Sequence, residues 1–170
     1  MKRLMFLSGV LLLNVSLACA QADKSQRPSP PAKASETTAS GATITIDYSQ
    51  PSVKGRKVGG DIAPYGKVWR SGANEATLFE VSKDVTVEGK PLPAGKYTLW
   101  SIPGEKEWVV IFNKKTGQWG TQYTEADDFL RIPVKTEKSP QPTEKLVYTI
   151  SKAGKVSLIW GDKAFSFNVK

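Results

Sequence analysis

Residues 85–103 read VTVEGKPLPAGKYTLWSIP. Gly89 and Pro91 punctuate this stretch once, and Pro93 and Gly95 punctuate it again, so it reads as strand, turn and strand. The same grammar extends in both directions. In ATITIDY (42–48), Ala42, Ile44, Ile46 and Tyr48 fall on one face and Thr43, Thr45 and Asp47 on the other. ATLFEVS (76–82), EWVVIFN (107–113), DFLRIPVK (128–135), EKLVYTISK (144–152), KVSLIWG (155–161) and AFSFNVK (164–170) continue the series. Ala153-Gly154 and Gly161-Asp162 read as short hairpin connections. About nine strands and no long helical period are expected. The fold class is therefore all-β: an antiparallel two-sheet β-sandwich, jelly-roll-like, with few or no helices. The longest non-strand stretch, PSVKGRKVGGDIAPYG (51–66), is expected to cover the sheet or build a site, with one helical turn near Val58–Ala63.

The chain starts MKRLMFLSGVLLLNVSLACAQA (1–22), a charged start, an apolar run and small residues, which is the layout of a secretory signal peptide over residues 1–20. The apolar run is short for a bilayer span, which takes about 20 residues. Ala18-Cys19-Ala20 fits cleavage after Ala20; SLAC (16–19) also resembles a lipobox that makes Cys19 a lipidated N-terminus, and both readings stay open. A membrane contact is expected only through such an anchor. Cys19 is the single cysteine, so no disulfide forms within one chain and stability rests on a core. Residues 21–40, QADKSQRPSPPAKASETTAS, are rich in Pro, Ser and Ala and read as a disordered tether; residues 41–170 read as one domain. An exported protein of the bacterial envelope, periplasmic or lipid-anchored, is expected.

The run IDYSQPSVKGRKVGGDIAPYGKVWRSGANEAT (46–77), with LPAGKYTLWSIP (92–103), EWVVIFN (107–113) and QWG (118–120), resembles an exported bacterial family known as domain of unknown function 2911. The resemblance covers nearly the whole domain. It implies an exported single domain and assigns no activity and no catalytic residues.

The residue inventory removes several chemistries. The chain has no histidine, which excludes Ser-His-Asp and Cys-His catalysis and His-ligated zinc or iron. One cysteine excludes iron–sulfur ligation. No phosphate-cradling G-x-x-x-x-G-K-[ST] occurs, and no cofactor or metal is expected. Twenty-four Lys and Arg against 16 Asp and Glu give a net charge of +8, scattered apart from KGRK (54–57), which is not the clustered stripe of a nucleic-acid binder.

One polar-aromatic stretch remains: PYGKVWRSGANEAT (64–77). Val68-Trp69-Arg70 reads as a short strand and Ser71–Asn74 as a turn, with Gly72 and Asn74 suited to positive φ. Two arrangements are open. Arg70 and Glu75 meet as a fork-shaped ion pair across the turn. Alternatively Arg70, Asn74 and Glu75 point into a groove floored by Trp69 or Tyr65 and joined by Arg56, which suits a glycan or an anionic small molecule. The expected function is an envelope binding module of unknown ligand. A structural or protein-interaction domain is one alternative; a glycoside hydrolase using Glu75 and Asp47 is another. Trp100, Trp108, Trp119 and Trp160 are expected in the core.

Overall fold

The computed structural model describes residues 23–170, so the expected signal peptide and Cys19 lie outside the described residues. Ten strands form three antiparallel sheets. The main sheet has six strands in the order β1 (Pro31–Thr37), β2 (Thr43–Ser49), β3 (Thr77–Val81), β6 (Gly95–Ile102), β7 (Glu107–Asn113) and β8 (Asp128–Lys135). It is a meander, interrupted between β3 and β6 by the small hairpin of β4 (Val85–Val87) and β5 (Lys90–Leu92). The opening stretch of the sequence is thus two turns joining three strands. A long hairpin of β9 (Glu137–Ile150) and β10 (Lys155–Asn168) forms the second layer of this sandwich-like, all-β fold.

Period-2 alternation decides which face each strand buries. Ile44, Ile46, Phe79, Leu99, Val110, Phe112 and Ile132 face Leu146, Tyr148, Leu158, Phe165 and Phe167 of the hairpin in one core. Phe112 lies at its centre, edge-on to Phe79 at 5.1 Å and to Phe167 at 5.8 Å. Tyr48 meets Tyr148 edge-on at 4.9 Å, and its hydroxyl accepts the Tyr148 backbone N–H.

The main sheet also buries its outer face. Trp100 is 2 % exposed and Ile111 0 %, because the chain between β7 and β8 folds back over them. Thr98 Oγ1 donates to the Lys115 carbonyl at 2.8 Å and accepts from Trp100 Nε1 at 2.9 Å. Asn113 Nδ2 donates to the Thr124 carbonyl and to Asp128 Oδ1. Tyr123 stacks at a tilt on Trp100, 5.0 Å away. This covering segment carries Gln118, Trp119 and Gly120 to the edge of the candidate site.

Three expectations are corrected here. The segment expected as a disordered tether supplies β1, in register with β2 from Pro31↔Ser49 to Thr37↔Thr43. Its composition is poor in large apolar groups, but an edge strand needs few. Ala32 and Ala34 lie against the core, Ser35 and Thr37 pair their hydroxyls with Thr45 and Thr43, and the backbone ladder of β2 supplies the rest. Pro31 opens the strand at the sheet edge, where a missing N–H is tolerated. Gly161-Asp162 is a β-bulge within one continuous β10, because β9 runs past it as a partner. No helical turn forms at Val58–Ala63; a parallel bridge between Val58 and Ile62 closes a turn there instead.

Candidate functional site

The stretch at residues 64–77 is held by its backbone. Trp69 and Ser101 exchange both N–H···O bonds, at 2.7 and 2.8 Å. The Ser71 carbonyl accepts two hydroxyls, Tyr148 at 2.9 Å and Thr77 at 3.1 Å, and Ser71 Oγ donates to Ser101 Oγ. Ser71 and Asn74 take the left-handed conformation, at φ of 50° and 58°; Gly72, expected there, does not. Gly72 is needed for space, since a β-carbon would meet Thr77 Oγ1.

This turn sends Arg70 and Glu75 to different partners, so the expected ion pair between them does not form. Arg70 Nη1 donates to the Gly120 carbonyl at 3.1 Å, and Gly120 is itself tied to the Asn74 carbonyl. No side chain fits at Gly120, because a β-carbon would run into Arg70 Cδ. Arg70 is half-buried, its Nε is buried without a partner, and burial lowers its pKa. Among the described residues it has no carboxylate partner.

Glu75 instead accepts Lys24 Nζ at 3.0 Å and Arg27 Nη1 on both oxygens at 3.0 Å. Burial pushes its pKa up, but its own backbone N–H, Arg27 and Lys24 outweigh that and hold the carboxyl at about 2. A folded-state pKa below the ordinary 4.5 means that the contribution to stability is complete above that pH and fades as pH falls toward about 2. Denaturation of wild type and Glu75→Gln across pH should show a modest wild-type advantage near neutrality that vanishes over that acid window. The pair is open to solvent, which keeps the effect small. A wild-type advantage that grows on acidification contradicts the assignment.

A cleft of about 300 Å³ opens beside this turn. Arg70 and Trp69 form one wall, Arg56 and Ile62 of the 51–66 loop another, and Ser29 and Trp160 complete it. Trp69 stacks flat on Trp160 at 5.3 Å and meets Trp108 edge-on at 6.0 Å. Arg56 folds back over its own loop, donating from Nε to the Val53 carbonyl and from Nη2 to the Ser52 carbonyl. Among the described residues no acidic side chain lines the cleft.

Of the six sequence candidates, Arg56, Trp69 and Arg70 come together here. Tyr65 does not line the cleft; its ring lies against Gly59, where a β-carbon would clash with it. Asn74 donates to the Ser29 carbonyl at 2.9 Å and to Ser49 Oγ, a structural task. Ser29 was missed, since it lay in the expected tether. Trp160 is core as expected, 2 % exposed, and also borders the cleft, whereas Trp119, expected in the core as well, is 45 % exposed.

Glu75 and Asp47 line a second, smaller cleft of about 230 Å³ with Tyr48 and Leu78. A glycosidase acid needs a raised pKa, and Glu75 is displaced the other way.

Neither a curated protein nor a solved structure matches the chain. A family model described as "Protein of unknown function (DUF2911)" matches residues 29–169, nearly all of the described structure, and the match begins just before β1. The chain belongs to that family, DUF2911.

Proposed function

We propose that this domain is a recognition module of the bacterial envelope that holds a small organic anion with an apolar body in the Arg56–Trp69–Arg70 cleft. The observation that carries this reading is Arg70: a half-buried guanidinium, unmatched by any carboxylate among the described residues, on the wall of a cleft without acids. A charge withdrawn from water favours an anionic partner, and a guanidinium suits carboxylate or phosphate in fork geometry. Ile62, Ala63, Ala73 and Trp69 offer apolar surface, and among the described residues Ser29 alone in the lining bears a hydroxyl. That lining favours a ring-bearing carboxylate or phosphate over a polyhydroxylated glycan. The signal-like start of the chain supports the envelope setting, with Cys19 as a lipid anchor if the lipobox is used.

Calorimetric titration with benzoate and phenyl phosphate, and with benzyl alcohol as a neutral control, tests the reading. Both anions should bind and the alcohol should not. A charge-assisted hydrogen bond contributes about 1.5–3 kcal/mol, so Arg70→Ala should weaken anion binding by roughly tenfold to a hundredfold and keep its fold. Arg70→Lys should recover only part, because a point charge cannot fork. Equal affinity in wild type and Arg70→Ala would sink the reading.

A further inference from the structure

The clasp on Glu75 and the wall of the cleft belong to one segment. Asp23 Oδ1 caps the 3₁₀ turn Lys24–Gln26 by accepting from Ser25 N–H. Lys24 and Arg27 hold Glu75 at 3.0 Å. The chain then gives the Ser29 carbonyl to Asn74 Nδ2 at 2.9 Å and the Pro30 carbonyl to the Gln50 N–H at 2.9 Å, before entering β1. Ser29, on this segment, lines the cleft together with Arg56 and Arg70. Lys24 and Arg27 lie outside the region 29–169 that the family model matches, whereas Glu75 and Asn74 lie inside it.

We propose that residues 23–30 are a strap that closes the anion cleft, and that Glu75 is the catch that holds it down. The anchors differ in kind. The β1–β2 ladder from Pro31 onward is a row of backbone bonds, but the Glu75 clasp is an ion pair open to solvent, with side-chain exposures of 57 % at Lys24 and 39 % at Glu75, and lifting residues 23–30 frees the Gln50 N–H from the Pro30 carbonyl. Such pairs are weak and salt-sensitive. The strap therefore lifts from its Lys24–Arg27 end while β1 stays in the sheet. Lifting withdraws Ser29 from the cleft and opens a route to Arg70. By linkage, a ligand that touches the strap must hold it down by as much as the strap holds the ligand. The role as a wall rests on the cleft's being a ligand site; the clasp does not.

Hydrogen exchange at the Gln50 amide of the full-length protein reads strap lifting without any ligand. Glu75→Gln and, separately, Arg27→Gln should each speed that exchange by roughly two- to tenfold. The Ser101 amide, bonded to Trp69 on the far side of the turn, should not change. An unchanged Gln50 rate in both variants overturns the strap. Saturating phenyl phosphate should slow the Gln50 amide in the wild type and have no such effect in Arg70→Ala. Binding of phenyl phosphate that leaves the Gln50 rate untouched overturns the wall. Failure of phenyl phosphate to bind sinks the cleft reading and the wall together, and the clasp then stands or falls on the two variants.

Discussion

Phe112→Ala should lower stability by about 3–5 kcal/mol, the range for truncating a buried aromatic ring. Phe112 is 0 % exposed and joins the two layers. Its ring meets Phe79 and Tyr97 of the main sheet at 5.1 and 6.4 Å, and Phe167 of the hairpin at 5.8 Å. All three contacts are edge-to-face, a geometry that adds to simple area burial. Alanine leaves a void that neighbours on two sheets cannot close together, since moving either one breaks its own ladder. Domains of this size unfold with a total of about 5–15 kcal/mol, so a large share of stability goes. Urea denaturation should show a lowered midpoint at an unchanged slope, and the melting temperature should fall by roughly 10 °C or more. Phe112→Leu, which keeps most of the volume, should cost less than half as much. A loss below about 1 kcal/mol for alanine, small for this class of change, would mean that the two layers do not pack through this ring.

Gly154→Ala is the second large effect, and Gly117→Ala is its control. The two glycines share nearly the same backbone, at φ of 81° and 80°. Each replacement incurs the left-handed penalty of about 1–2 kcal/mol. At Gly117 nothing lies within 4 Å of a new β-carbon. At Gly154 the β-carbon runs into the Val169 carbonyl, which is backbone and cannot rotate away. Relieving that clash separates Val169 N–H from the Gly154 carbonyl, now 2.9 Å apart, and disturbs Val169, which is 2 % exposed and bridged to Val87. Losing that bond adds about 1 kcal/mol and loosening the packing adds more. Gly154→Ala should therefore exceed Gly117→Ala by about 2 kcal/mol or more in chemical denaturation. Equal losses would place the cost in φ alone and contradict the close approach of the C-terminus to the β9–β10 turn.

The strands that sequence reveals are those whose side chains alternate strongly. Ile44, Ile46 and Tyr48 in β2, and Trp108, Val110 and Phe112 in β7, bury one face, and the period is visible without a partner. β1 is not legible in this way. Ala32 and Ala34 are too small to announce a buried face, and order there comes from the free edge of β2. Gly161 looks like a turn in isolation and becomes a bulge only because β9 continues alongside it. In the site, Trp69 and Arg70 were legible because they sit in one compact polar-aromatic run, and Arg56 because it is carried by the long loop beside it. The fate of Asn74 and Glu75 was not, because their partners Ser29, Lys24 and Arg27 stand more than 40 residues earlier in the chain. The placement of Arg70 depends on the Gly120 carbonyl that it donates to, which the segment between β7 and β8 delivers.

The second layer of the core consists of the last two strands, Glu137–Ile150 and Lys155–Asn168. A ribosome adds about 5–20 residues each second and releases the N-terminal end first. Until residues 137–168 have been added, the six-stranded meander has no cover for Ile44, Phe79 and Phe112. The nascent chain cannot collapse into its finished form strand by strand; completion waits for β9 and β10. A stop codon before β10 would leave this apolar face open as a target for holdase chaperones and proteases.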